Sequence, residues 1–253
     1  MTVRSTGSLL VLVLLLSAGC AARGMAPPSA PVPASASPSG AMAAAPDPDS
    51  IRWVRDAAEY HAALYQVYRL ATAHVEAEAA GRQPGTWAVI LDADETVISN
   101  VVYQQERARQ GLGYSAESWR AWVARREATP LPGAAAFLAR VRALGGRIAI
   151  VTNRLQSECE DTAAVFSAHA LPYDALLCRP DGGPSDKNPR FEAVRTGKSP
   201  ASPGPVDVVA FLGDNIQDFP SLTQKVKAQG AAAFQEFGAR YFVVPNPMYG
   251  SWQ

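Results

Sequence analysis

Apolar positions recur at steps of three and four from Trp53 through Ala57, Tyr60, Leu64, Val67 and Ala71 to Val75. That spacing predicts one face of a long helix, with Ser50 as its cap. The stretch from Gly81 to Gly85 breaks the pattern. Trp87 to Asp92 follows as a short apolar run, which reads as a buried strand. Helical spacing returns over Ser118–Glu127, with Trp119, Trp122 and Val123 on one side. It returns again over Gly133–Leu144, with Ala134, Phe137, Leu138 and Val141 on one side, and Gly145-Gly146 ends it. Arg147–Thr152 is a second buried strand, followed by a helix from about Gln156 to His169. Further strands are expected at Ala175–Leu177, Val206–Leu212 and Tyr241–Val244. Strands alternating with helices predict an α/β fold, a doubly wound parallel sheet with helices on both faces. Residues 97–131 are a natural place for a small helical cap over a site.

The N-terminus has a different character. Arg4 is the only charge before an unbroken apolar run, Leu9 to Leu16, which is too short to span a bilayer and fits the core of a secretory signal. Ser17-Ala18-Gly19-Cys20 follows and resembles a bacterial lipoprotein processing site. Residues 1–19 are then the signal, and Cys20 is the lipidated first residue of an exported, membrane-anchored chain. An ordinary cleaved signal with an incidental Cys is the alternative. Of the 30 residues from 21 to 50, 22 are Ala, Pro or Ser. Such a composition buries no core, so residues 20–50 read as a linker and 51–253 as the folded domain.

Charge narrows the possibilities. The 253 residues hold 23 Lys+Arg and 23 Asp+Glu, a balance that argues against a nucleic-acid polymer as partner. The 3 Cys are too few for a disulfide scaffold, and the 3 His are scattered. Cys159 and Cys178 could pair in an oxidising compartment, but Cys178 ends an apolar strand, where a buried thiol is the favoured reading.

The strand ends carry the candidate chemistry. Asp92 and Asp94 follow one strong strand, and Asp214 and Asp218 follow another. Carboxylates gathered this way repel one another, by about 4 kcal/mol for a like pair at 4 Å and an effective dielectric of 20. A cation resolves the repulsion, and oxygen ligands without His or Cys favour Mg²⁺ over zinc. Mg²⁺ commonly works with phosphate.

The segment D-A-D-E-T resembles the D-x-D-x-T signature of the haloacid dehalogenase superfamily. A strand ending in Thr152, then Lys187, then Gly213-Asp214-Asn215-x-x-Asp218 follow in the matching order. Glu95, the run Thr152-Asn153-Arg154, G-D-N-x-x-D-F and the terminal P-N-P-M-Y-G-S-W are similar to the class C bacterial acid phosphatases, the lipoprotein-e family. The resemblance covers Trp53 to Trp252 and the lipid signal. It implies a Mg²⁺-dependent acid phosphatase acting on small phosphomonoesters, with nucleoside 5′-monophosphates the expected substrates. Asp92 is then the nucleophile that forms an aspartyl phosphate, and Asp94 the general acid and base. Asp92, Asp214 and the backbone carbonyl of Asp94 hold the metal. Thr152 and Lys187 bind the phosphoryl oxygens, with Asn153 and Arg154 as substrate contacts. Asp218 orients Lys187 or metal-bound water from behind. Trp119 and Tyr249 form an aromatic clamp for a flat leaving group, and one tryptophan of the pair Trp119 and Trp122 packs in the core. An acidic optimum is expected, because Asp94 must carry a proton when the ester breaks.

The chain departs from the family at Ser99, where many members carry Asp, at Asp186–Arg190, and in a Pro-Gly-rich insertion over 199–205. Competing readings are a phosphatase for another small phosphomonoester, a signalling receiver that keeps its phosphoryl group, and a non-catalytic surface lipoprotein. Export and the second Asp at i+2 argue against the receiver.

Overall fold

The computed structural model describes residues 46–199 and 204–253. The signal, Cys20, the linker up to residue 45 and residues 200–203 of the insertion lie outside the described residues. In chain order the elements are α1 (Asp49–Asp56), α2 (Ala58–Ala79), β1 (Trp87–Leu91), β2 (Ile98–Ser99), α3 (Val101–Arg109), α4 (Ala116–Arg125) and β3 (Thr129–Pro130). Then come α5 (Ala134–Ala143), β4 (Arg147–Leu155), α6 (Cys159–Ala168), β5 (Ala175–Arg179), α7 (Asn188–Arg195), β6 (Asp207–Gly213) and β7 (Tyr241–Val243).

Five strands form one parallel sheet in the order β5-β4-β1-β6-β7. The α/β class read from the alternation is the observed one. All five residues of β1 are buried, and their alternation divides the core. Trp87, Val89 and Leu91 pack on one face with Leu64 of α2 and Phe137 and Leu138 of α5. Ala88 and Ile90 pack on the other with Phe191, Phe211 and Phe219. A strand covered on both faces shows no polar alternation, which is why it appears in sequence as a plain apolar run.

The long first helix is in fact two. Ala57 is extended (ψ 128°), and α1 starts after Pro48, so Ser50 lies inside the helix and is not its cap. Nothing in the sequence marks the break, since Ala is the best helix former. The break lets Ile51 and Val54 of α1 and Tyr60 and Leu64 of α2 all reach the core, with Trp53 against Tyr60 at 5.2 Å between ring centroids. Burial outweighs the few backbone bonds lost. Gly145 has φ +80° and ends α5 as expected, but Gly146 serves packing: a Cβ there would lie 2.4 Å from the Trp87 ring.

Residues 97–131 contain the two-residue strands β2 and β3, paired antiparallel, and the helices α3 and α4 between them. Neither the short ladder nor α3 was marked by periodicity. The α3 sequence is mostly polar and buries only Tyr103 fully.

Cys159 and Cys178 form a disulfide, with Cα atoms 6.1 Å apart, which corrects the buried-thiol reading. The first residue of α6 meets the penultimate residue of β5, a juxtaposition that chain spacing does not disclose. Closing a loop of 19 residues stabilises the fold by about 3 kcal/mol through the unfolded chain. Replacing both cysteines by serine should therefore lower Tm by roughly 10 °C in non-reducing buffer. An unchanged melting curve would show that the link adds no stability.

Candidate active site

β1 lies at the centre of the sheet, with β4 on one side and β6 on the other. The chain runs on from β1 to β4 on one side and from β6 to β7 on the other, so a crevice opens beyond the carboxyl ends of β1 and β6. Leu91 pairs with Leu212, and the Asp92 N–H donates to the Leu212 carbonyl at 3.0 Å. Asp92 therefore stands beside Gly213, one residue before Asp214. The register of two neighbouring strands is what brings the two carboxylates together. Gly213 has no room for a side chain: a Cβ would lie 2.2 Å from the Cβ of Asp218. That close approach folds the Asp214–Asp218 turn back over the strand end. The Asp218 carboxylate accepts the Asn215 N–H at 2.9 Å.

Beyond Asp92 the chain reverses. The reversal centres on Glu95, which has φ 52°, and not on Ala93; the N–H groups of Val97 and Ile98 both donate to the Ala93 carbonyl at 2.9 Å. A left-handed non-glycine residue costs of order 1 kcal/mol and persists only when its surroundings hold it. The Glu95 carboxylate is fully buried and accepts from the Asn100 N–H at 2.6 Å, from the Asn100 amide and from the Tyr249 hydroxyl. Burial, then the neighbouring Asp94, push its carboxyl up to about 8, against the opposing Asn100 bonds. The turn separates Asp94 from Asp92. The Asp94 carboxylate accepts from Arg154 at 2.7 Å and from Asn100 at 2.8 Å.

Asp92, Asp214 and Asp218 form the cluster: one carboxylate oxygen from each lies within 4.8 Å of the others. Lys187 Nζ donates to Asp92 at 2.5 Å and to Asp218 at 2.6 Å, and all three residues are buried. Burial pushes the Asp92 carboxyl above the usual carboxylate range, more than Lys187 pulls it down. Burial, then Asp218 and Asp92, push Asp214 well above that range. Burial opposes the Lys187 charge, but Asp218 and Asp92 outweigh it and hold the ammonium above its ordinary range. With all three carboxylates ionised, as a bound cation would hold them, the Lys187 ammonium leaves two negative charges uncancelled. A divalent cation cancels that charge, and the donors are all oxygen, so the residues fit a hard divalent ion. The Asp94 carboxyl stands outside the cluster, which leaves its backbone carbonyl for the role that the resemblance assigned.

The cavity above these groups measures about 730 Å³, within the range of small-molecule sites. Asp92, Asp94, Lys187 and Asp214 line it, as do Trp119 and Tyr249. Trp119 packs edge-on against Tyr103, and the Arg154 guanidinium lies 5.4 Å over its ring. Trp122 is the core member of the tryptophan pair, its indole N–H donating to Asn100 at 2.8 Å. Thr152 is fully buried, its hydroxyl accepting the Arg154 N–H at 3.1 Å. Asn153 lines the cavity and accepts from Arg190 at 2.6 Å. Arg154 also lines the cavity, but its guanidinium is engaged by Asp94.

Several contributors were not assigned from sequence. Asn100 joins Asp94, Glu95, Trp122 and Arg154. Asn246 donates to Asp214 at 2.8 Å, and Arg190 donates to the Thr152 carbonyl. Asn100, which is buried, and Asn246, which is half-buried, both lie in family-like stretches, and that placement is the signal that could have found them. Their chemistry is ordinary, so only position distinguishes them.

A parallel sheet whose central strand ends in a carboxylate, with a buried lysine and two further carboxylates around it, is the arrangement of haloacid-dehalogenase-type phosphatases. A profile described as HAD superfamily, subfamily IIIB (Acid phosphatase) matches residues 29–252. The structure is similar to that of the class C acid phosphatase from Bacillus anthracis, at 30% identity over 80% of this chain and 84% of that one, with a TM-score of 0.70. The same enzyme with tungstate bound matches at 30% identity and a TM-score of 0.71, with the same coverage. The chain belongs to the acid phosphatases of HAD subfamily IIIB and is a phosphomonoesterase. Phosphatases of this superfamily use a divalent metal, and the buried aspartate cluster could hold one.

Proposed function

We propose that the chain is a Mg²⁺-dependent acid phosphatase that hydrolyses nucleoside 5′-monophosphates through an aspartyl phosphate on Asp92. The observation that carries this reading is the buried Asp92, bonded to Lys187, with Asp214 and Asp218 beside it under an aromatic-lined cavity. An Asp92 carboxylate oxygen attacks phosphorus, the ester P–O bond breaks, and the leaving alkoxide takes a proton from Asp94. Asp94 then takes a proton from water as the water oxygen bonds to phosphorus. The bond from phosphorus to Asp92 breaks, and inorganic phosphate leaves. Lys187 and the Thr152 hydroxyl hold phosphoryl oxygens, and Asp218 keeps Lys187 aimed at Asp92. Arg154 and Asn100 hold the Asp94 carboxyl in place. Asn153 contacts the substrate from the rim. Asp92, Asp214 and the Asp94 carbonyl would hold Mg²⁺, which offsets the repulsion between the Asp92 carboxylate and a dianionic ester.

Trp119 and Tyr249 clamp the nucleobase between them. Stacking on a base face contributes roughly 1–3 kcal/mol and tolerates any base, so broad nucleotide specificity follows. Phosphate release from a panel of nucleotides, aryl phosphates and small alkyl phosphates tests the reading. Trp119→Ala should raise KM about tenfold for nucleotides and leave KM for an alkyl phosphate nearly unchanged. Equal effects would remove the clamp, and no release from any monoester would sink the assignment.

The export of the chain as a lipoprotein anchored through Cys20 belongs to the same reading. The Cys159–Cys178 disulfide supports an oxidising compartment. No helix among the described residues is long and apolar enough to cross a membrane, so the lipid on Cys20 would be the anchor.

A further inference from the structure

One cation in the cavity wall has no role in the reaction drawn above. Arg179 ends β5, directly after Cys178 of the disulfide, and lines the same cavity as Asp92. The other cations of that wall are neutralised, Lys187 by Asp92 and Asp218, and Arg154 by Asp94. Arg179 makes no ion pair or side-chain hydrogen bond among the described residues, and its Nε is buried without a partner. The acids near it in the chain and fold are engaged elsewhere. Glu158 accepts the Leu155 N–H at 2.8 Å, and Asp181 accepts the Ser157 hydroxyl at 2.9 Å. A buried guanidinium donor left unpaired is costly, so a ligand that pairs it gains more than it would on an open surface.

The place of Arg179 limits what that ligand is. β5 lies two strands from β1, so its end is about 10 Å across the sheet from Asp92. The phosphoryl group under attack is held at Lys187, so Arg179 faces another part of the same substrate. Tyr114 of the cap region shares this end of the cavity. Burial and Glu158 push its phenol up, while the charge of Arg179 pulls it back. A guanidinium presents paired donors that match the oxygens of a phosphoryl group. The disulfide at the preceding residue ties this strand end to α6 and fixes where the arginine starts.

Building on the phosphatase reading, we propose that Arg179 forms a distal anion subsite. It selects phosphomonoesters whose leaving group carries a second phosphoryl oxyanion. A short 5′-phosphorylated nucleotide with a phosphodiester next to the scissile group is such a substrate.

The test compares two 5′-phosphorylated dinucleotides of equal size. One has its internal phosphodiester intact, and the other has a neutral methylphosphonate there. Phosphate is released only from the 5′ end of each. Wild type should show a KM about tenfold lower for the charged dinucleotide. Arg179→Gln should abolish that preference, and Arg179→Lys should restore part of it, because it keeps the charge without the fork. Thermal unfolding of both variants checks that β5 is intact. If wild type hydrolyses the two alike, or if Arg179→Gln weakens both equally, the subsite is wrong while the phosphatase reading stands. If wild type releases phosphate from a nucleoside 5′-monophosphate but from neither dinucleotide, the subsite alone is wrong; release from none of the three overturns both readings.

Discussion

Asp92→Asn is expected to lower kcat by about 10,000-fold or more while leaving the protein folded. An amide oxygen is a poor nucleophile and cannot form the mixed anhydride with phosphorus, so the first step is lost and not merely slowed. The fold should survive because the side chains are isosteric and the change removes a buried charge. Asp92 is 8% exposed, and its carboxyl is held above the ordinary range chiefly by burial, with Asp218 and Asp94 adding to it. Lys187 keeps its bond to Asp218 at 2.6 Å in the variant, so its ammonium is not left unpaired. Removing one of three crowded carboxylates should leave Tm equal to or above that of wild type in the metal-free protein. Steady-state phosphate release, circular dichroism and a melting curve check the three parts together. Turnover at the wild-type rate would remove Asp92 as the nucleophile, whatever the melting curve showed.

Removing divalent metal is the second large effect. In EDTA, phosphate release should fall to background and return on adding Mg²⁺. The same titration should move stability. Three carboxylate oxygens within 4.8 Å repel at about 3–4 kcal/mol per pair at an effective dielectric of 20, and Lys187 balances only part of this. An ion that binds the folded cluster and not the unfolded chain stabilises by about 2.7 kcal/mol at a hundredfold excess over its Kd, which raises Tm by roughly 5–10 °C. Asp214→Asn should lose both responses, because it removes one of the three carboxylates of the cluster, and the neutral Asn246 amide that donates to Asp214 cannot replace the ion. Activity and melting temperature that ignore both EDTA and Mg²⁺ would show that the cluster is not a metal site.

The parts of the site visible in sequence are those whose chemistry is unusual for their place. Asp92 and Asp214 follow apolar strands at once, where a buried charge needs a reason. Lys187 was a less obvious choice, since most lysines are solvated. Its buried position between Asp92 and Asp218 comes from the path of residues 180–187, which no periodicity describes. Arg154, expected as a substrate contact, lines the cavity while its guanidinium is held by Asp94 and lies over Trp119, a pairing that chain spacing does not disclose. Asn100 stays hidden in the sequence because nothing marks the short helix after it; its side chain makes no cap bond and joins Glu95, Asp94 and Trp122 instead.

The sequence by itself determined the α/β class, the strands that carry the site and the family, because a buried strand must be apolar and reacting groups must follow it directly. Tertiary structure decided what depends on two segments meeting. The β1–β6 register sets Asp92 beside Asp214, and the lack of a side chain at Gly213 admits Asp218. Crowding of α6 against β5 closes the Cys159–Cys178 link. Packing of α1 and α2 breaks a helix at an alanine. The Asp92–Asp214 and Cys159–Cys178 contacts join residues distant in the chain, and the turns at Gly213 and Ala57 are set by packing and not by a local signal; periodicity carries information about neither.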